Sequence, residues 1–285
     1  MNRETAIGRA HASCFKAGRV ELRASMTVAQ GFETVAAACV HHFRMNEPLV
    51  IGRRSAEALH QARVALRRLR SAFSLFKPVI ADREFKRLDD ELSCFTGATG
   101  DARNLDVYLQ RDLSAEERGP LEARREEAYD TAIAAMNSAH VRRLLVDIVA
   151  WAAAGEWRSH RKARRPLKRF MNQRIDKLWM KTCYAHRVAR MGELQRHHLR
   201  IRVKKLRYAL AFARGLHRRH KKRRKAFESS LKALQEALGL LNDAVVARSL
   251  KTGPVWPLPP QPDERRLLDD ANAALKQLRK IGAYW

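Results

Sequence analysis

Two stretches of this chain carry His, Arg, Leu and Arg at the same offsets, 137 residues apart: HQARVALRRLR at 60–70 and HHLRIRVKKLRY at 197–208. The match extends to Val64 and Ile201, Arg67 and Lys204, and Arg68 and Lys205. A second echo follows in the same order: GDARNLDV at 100–107 parallels GLLNDAVV at 239–246, at an offset of 139. Two echoes at nearly one offset constrain the chain to two similar halves. Two copies are too few for a solenoid, which needs about three or more, so a facing pair of bundles suits the pattern.

The halves are predicted to be helical. Glycine (13) and proline (9) are scarce in the 285 residues, and no period-2 run bounded by turn residues is visible. Residues 1–25 lack a sustained apolar period and read as a loose leader. Helical patterning begins near Met26, with Val28, Phe32, Val35, Ala36 and Cys39 on one side, and fades into a loop at MNEPLVIG, 45–52. Ser55 caps a long helix running to about Lys77, where Pro78 stops it. Asp82 caps the next, Gly97 and Gly100 interrupt, and Asp101 caps a short one. Ser114 and Glu117 have capping-box spacing, and two or three helices continue to about Ala154. The second half repeats the order, with helices near 166–182, 191–215 and 226–238, a break at Gly239 and a short helix after Asn242 or Asp243. A Pro-rich loop, GPVWPLPPQP at 253–262, precedes a last helix capped by Asp263. The expected organisation is a leader over 1–25, a first helical-bundle half over 26–154 and a second over 155–285, all-α.

On a helical wheel His60, Arg63, Arg67 and Arg70 fall within an arc of about 80°. Ser74 continues it and Arg53 lies close to it. Ala62, Ala65, Leu66, Leu69, Phe73 and Phe76 fill a separate apolar arc. His197, Arg200, Lys204 and Arg207 repeat the polar arc, and Val203, Leu206, Leu210 and Ala213 the apolar one; Arg68 and Lys205 point elsewhere. Each stripe is a row of cations about 15 Å long. Like charges at these spacings cost a few tenths of a kcal/mol per pair, which a linear polyanion would offset through Arg forks and Lys point charges.

Overall charge points the same way. Lys and Arg number 57 against 30 Asp and Glu, a formal net charge of +27. Residues 194–227 hold 14 Lys and Arg and no carboxylate, and residues 157–175 hold eight and none. Such a field calls for a polyanionic partner. The blocks RSHRKARR (158–165) and RRHKKRRK (218–225) could lengthen a polyanion track or bind nucleic acid nonspecifically. Stacking on single strands would want aromatics among the cations, and the stripes have almost none. His217 and His220 have a metal-like spacing, but surrounding cations repel a metal, so no metal or cofactor site is expected. No G-x-x-x-x-G-K-[S/T], H-E-x-x-H or G-x-S-x-G motif occurs. The stripes carry no carboxylate to hold Mg²⁺ for phosphoryl transfer. Four scattered cysteines fit reduced thiols. The longest apolar run, LLVDIVAWAAAG at 144–155, is too short to span a bilayer and contains Asp147. The expectation is a cytoplasmic protein that is not an enzyme and not in a membrane, its oligomeric state left open.

The paired His-x-x-Arg-[Val/Ile]-x-x-[Arg/Lys]-[Arg/Lys]-Leu-Arg pattern resembles the two copies found in the CHAD family, the histidine-bearing α-helical domain. NEPLV, GDARNLDV and LQEALGLLNDAVV are similar to that family as well, so the resemblance covers roughly residues 26–285. It implies two pseudo-symmetric four-helix bundles with a basic groove between them and binding of inorganic polyphosphate, often at polyphosphate granules. It also implies that His60, Arg63, Arg67 and Arg70 line one side of the groove and His197, Arg200, Lys204 and Arg207 the other. Arg53, Arg103, Arg165, Arg169 and Arg174 are candidates to extend it. One departure is Asn104, where the family often has Asp after Arg; Asp106 and Asp243 remain, as acids that would hold basic side chains in place. The Glu-x-Glu-x-Lys strand motif of the triphosphate-tunnel domain, to which some members are fused, is absent.

Overall fold

The computed structural model describes residues 14–184, 187–217, 219–249 and 263–285, with backbone alone for 246–249. Residues 1–13 of the expected leader and the Pro-rich loop at 253–262 lie outside the described residues. The order is α1 (Val28–Arg53), α2 (Ala56–Ile80), α3 (Arg83–Ala98), α4 (Gly100–Tyr108), α5 (Ala115–Asn137), α6 (Ala139–Ala154), α7 (Leu167–Cys183), α8 (Glu193–Ala213), α9 (Lys221–Ser249) and α10 (Glu264–Ile281). Short 3-10 turns sit at Glu156–Ser159 and Val188–Arg190. Among the described residues there is no strand, and extended pairing is limited to an isolated bridge between Thr27 and Pro166. The fold is all-α.

The caps follow from short polar side chains meeting orphan N–H groups. The Ser55 hydroxyl accepts from the Ala58 N–H, Asp82 from Glu84 and Phe85, and Asp263 from Arg266. Ser114 and Glu117 form the reciprocal capping box. Asp101 does not cap: α4 starts one residue earlier, at Gly100, behind Thr99.

α2 runs through Pro78 to Ile80, because Val79 and Ile80 are buried beyond it, and two further expected breaks are absent. α1 runs through 45–52 with Pro48 inside it and stops at Arg54, whose φ of 45° turns the chain left-handed. An interior proline costs about 3 kcal/mol. Phe43, Asn46, Glu47 and Val50 are buried on the same stretch, and burying one Phe or Val side chain returns about 1.5–3 kcal/mol. α9 likewise continues through Gly239. A mid-helix glycine costs only about 0.5–1 kcal/mol, and Leu234, Leu238 and Leu241 are buried on either side of it.

The described part of the leader, 14–25, is packed. The Phe15 N–H donates to Asn46 Oδ1 at 3.0 Å, and Asn46 Nδ2 donates back to the Phe15 carbonyl at 2.9 Å. Val20 and Leu22 are buried. Gly215 permits this docking, because a Cβ there would come within 2.5 Å of the Leu22 carbonyl oxygen.

α2 packs against α1, α3 and α8, while α8 packs against α7 and α9, and α9 against α10. One hydrophobic core runs through both halves. In the first, Phe32 meets Phe73, Phe76, Trp151 and Trp157 at centroid separations of 5.4–5.8 Å. In the second, Phe227 gathers Trp179, Tyr284 and Trp285. All the residues of the two apolar arcs are at most 2% exposed. The opposite arcs are therefore turned out of the core, and the α2–α8 contact brings them near each other.

Candidate functional site

The two stripes meet where α2 packs against α8. His60, Arg63 and Arg67 are half-buried on α2 and Arg70 is exposed; Arg200 and Lys204 are half-buried on α8, and His197 and Arg207 are exposed. Their electrostatics show the two rows acting on one another. Burial pushes the Lys204 ammonium from 10.5 down to about 8, assisted by Arg200 on its own helix and Arg67 on the other, with Asp243 opposing and Arg207 adding to the depression. Burial lowers Arg63 to about 10, with Arg67 and Arg103 adding to it and Asp101 opposing. His60 is lowered by burial and then by Arg103, against Glu57, with Arg67 and Arg63 contributing further. A charge taken out of water beside like charges loses proton affinity. Arg67 on α2 and Lys204 on α8 thus lie within electrostatic reach of one another, and Asp243 and Asp101 offset only part of the lowering on Lys204 and Arg63.

The hydrogen bonding agrees. Arg63 Nη1 donates to the Thr96 carbonyl at 2.9 Å and to Thr99 Oγ1 at 2.7 Å, which anchors one edge of the guanidinium to the α3–α4 junction. The Nε atoms of Arg63, Arg67 and Arg200 are buried and have no hydrogen-bond partner. Buried polar atoms are normally paired, because an unmade bond costs about 1–3 kcal/mol. Among the described residues no stripe Arg or Lys forms an ion pair, although ion pairs such as Arg125–Asp106 and Lys232–Glu236 occur elsewhere. Three unpaired buried donors on a cationic surface are what an oxyanion ligand would satisfy.

The two histidines sit in different surroundings. His60 feels Arg103 on α4, and His197 Nδ1 lies 2.8 Å from Asn242 Oδ1 on α9. Asn242 is a supporting residue that stripe geometry alone could not single out; its place in the second echo was the available signal.

The proposed extensions divide. Arg103 joins the first stripe through His60 and Arg63. Arg174 does not offer its charge to a track: Nε donates to the Leu75 carbonyl at 3.0 Å and Nη2 to the Ser74 carbonyl at 3.4 Å, tying α7 to α2. Arg53, Arg165 and Arg169 are exposed, and among the described residues no hydrogen bond joins their side chains to either stripe. The backbone of Arg165 instead accepts from the Val28 N–H.

Arg68, off the stripe, is buried, reaches towards the Gly18 carbonyl and lies 5.6 Å from the Phe212 ring centroid. It therefore joins the 14–25 segment, α2 and α8. Asp106 is buried and accepts from Arg125 Nε at 2.8 Å and Tyr129 Oη at 2.9 Å. It braces α4 against α5 and does not support a stripe. Asp101 and Asp243 are the acids in the field of the stripe cations. Among the described residues no three His, Cys, Asp or Glu side chains gather in a metal-like group. No helix among them is long and apolar enough to cross a membrane. Cys14, Cys39, Cys94 and Cys183 are free.

The family model described as "CHAD domain" matches residues 34–252. The crystal structure of the CHAD domain from the plant Ricinus communis is similar over 96% of this chain and 93% of its own, with 28% identity and a TM-score of 0.72. PptA from Streptomyces chartreusis shares the fold over 90% of this chain and 99% of its own, at 16% identity and a TM-score of 0.51. No curated protein matches the chain.

Proposed function

The chain belongs to the CHAD family, and on that premise we propose that it binds inorganic polyphosphate along the surface where α2 and α8 present their matched stripes. The observation that carries this reading is the cross-helix field: Arg67 on α2 acts on Lys204 on α8, with no ion pair to neutralise either. A linear polyanion laid between the rows would meet Arg63, Arg67 and Arg70 on one side and Arg200, Lys204 and Arg207 on the other. Its oxygens would take up the unpartnered Nε donors of Arg63, Arg67 and Arg200. His60 and His197 would donate at the N-terminal end of each row.

The role is one of binding, with localisation at polyphosphate granules as its cellular consequence. Asp101 and Asp243 act as charge supports: each offsets part of the repulsion on one stripe cation.

The test is the double variant Arg67→Ala/Lys204→Ala, titrated with long-chain polyphosphate. Charge-assisted contacts contribute about 1.5–3 kcal/mol each, so affinity should fall by two orders of magnitude or more, roughly, with the helical circular dichroism spectrum unchanged. Six stripe cations should give a slope of log affinity against log salt of about −4, at about −0.7 per phosphate neutralised on a single strand. Normal affinity in a natively folded double variant would sink the assignment. So would duplex DNA competing on equal terms at high salt, which would make the surface a generic polyanion binder.

A further inference from the structure

A second basic site lies outside the stripes. α8 ends at Ala213, about 9 Å along its axis beyond Arg207. The chain that follows walls a cavity of about 610 Å³ together with Arg23 and Ala24 of the leader, Lys168 of α7, and Tyr284 and Trp285. Gly215, Leu216, His217, Arg219 and His220 complete the lining, and none of the eight stripe residues takes part.

We propose that this cavity is a second anion site, which takes the terminal phosphoryl group of a compact ligand. The volume falls within the range of about 300–1,000 Å³ typical of small-molecule sites. Three basic side chains, Arg23, Lys168 and Arg219, and two imidazoles line it. Among the described residues those three cations form no ion pair, and the two carboxylates acting on the cavity's aromatic lining are engaged already, Glu228 with Arg224 and Asp176 with the Trp285 indole N–H. A phosphoryl group brings about −1.5 to −2 charge and three acceptor oxygens, which fits this donor density better than a carboxylate.

Two further observations mark the site as built. His217 is 7% exposed, and its Nε2 is buried with no hydrogen-bond partner. Its own burial, then Lys168 and Arg224, push it down to about 4, so it sits neutral inside a cationic shell. His220 holds a left-handed backbone at φ 60°, a conformation uncommon outside glycine that collects at ligand-binding positions. Leu216, Tyr284 and Trp285 add apolar surface to the lining, which suits a ring or chain carried on the phosphoryl group. The inference does not depend on the polyphosphate reading, because it uses other residues.

The experiment is isothermal titration of the full chain with pyrophosphate and with adenosine diphosphate, at about 0.15 M salt, where exposed charges are screened within about 8 Å. Lys168→Ala/Arg219→Ala alters two exposed side chains and should weaken binding of at least one probe by about tenfold or more. Arg23→Ala removes a third cation independently and should weaken the same probe. The stripe variant Arg67→Ala/Lys204→Ala should keep this binding. Comparable binding of both probes assigns the site to phosphate chain ends; clearly tighter adenosine diphosphate assigns it to nucleoside phosphates seated on Trp285. Wild-type affinity for both probes in Lys168→Ala/Arg219→Ala overturns the site. Complete loss of binding in the stripe variant overturns it too, by placing the contact on the stripes.

Discussion

Lys204 makes polyphosphate affinity depend on pH between about pH 7 and pH 9. In the free protein its ammonium is lowered from 10.5 to about 8 by burial and by Arg200 and Arg67. A phosphate chain beside it reverses the local field and returns the group toward its ordinary value. Binding then takes up a proton whenever the free protein has lost one. With a free value of about 8 and a bound value of about 10.5, linkage leaves affinity nearly unchanged at pH 7 and lowers it about tenfold at pH 9. That is about 1.4 kcal/mol. His60 titrates below this window and does not contribute, since its shift is downward from 6.5. The perturbation is Lys204→Arg, which keeps the cation and removes the titration because a guanidinium stays charged. The assay is fluorescence anisotropy with end-labelled polyphosphate between pH 7 and pH 9 at fixed ionic strength. The wild-type chain should lose about tenfold while Lys204→Arg stays flat within about twofold. Equal slopes in the two proteins would refute the reasoning, because the lost proton would belong elsewhere. The sign for stability is opposite to that for binding. Between about 8 and 10.5 the unfolded chain holds the proton that native Lys204 has released, so unfolding free energy rises with pH there.

Two predictions concern the frame around the stripes. Arg174→Ala should lower unfolding free energy by about 1.5–3 kcal/mol in urea titrations, because it leaves the Leu75 and Ser74 carbonyls without a charged donor. The slope of log affinity against log salt should stay unchanged, since Arg174 adds no free charge to the stripes. Asp106→Ala should destabilise by about 1–3 kcal/mol by chemical denaturation, as it leaves Arg125 Nε and the buried Tyr129 hydroxyl without their acceptor while Arg125 keeps Glu126 and the Arg54 carbonyl. Tyr129→Phe should cost less, since only a neutral donor is lost.

The pattern of each helix was readable because it depends on local periodicity. A 3.6-residue repeat separated Leu66, Leu69 and Phe73 from Arg63, Arg67 and Arg70, and the former are buried while the latter face outward or lie at the boundary. Ser55, Asp82, Ser114 and Asp263 were readable as caps for the same reason. Pro48 and Gly239 were misleading because their local penalties are smaller than the burial gained by the residues around them. The 14–25 segment has no periodicity, so nothing local announced that Leu22 docks on Gly215. Arg174 and Arg63 stand equally well in a basic stretch. Only the positions of Leu75 and Thr99, set by tertiary packing, divide a structural arginine from a half-buried one in the proposed site. The cavity beside His217 is assembled from segments more than 250 residues apart in sequence, and no single stretch encodes it.

The two echoes also explain the departure at Asn104. At the echo offset, Arg103 corresponds to Asn242 and Asn104 to Asp243. Arg103 acts on His60 and Asn242 bonds His197, so each histidine is near the equivalent position of its own half's echo. The carboxylates do not follow this rule. In the second half Asp243 opposes the depression of Lys204. In the first, position 104 is an exposed asparagine, and the acid that acts is Asp101, one helical turn earlier. Its target moves as well: Asp101 acts on Arg63, whereas Lys204 corresponds to Arg67, one turn further along α2. Support and target shift together by a turn, so each stripe keeps one carboxylate-backed cation. The shift leaves Arg67 without an acid of its own, facing Lys204 across the α2–α8 contact. Arg67 is therefore a stripe guanidinium that depends on a ligand for compensation, and Arg67→Ala should reduce polyphosphate affinity by about tenfold or more.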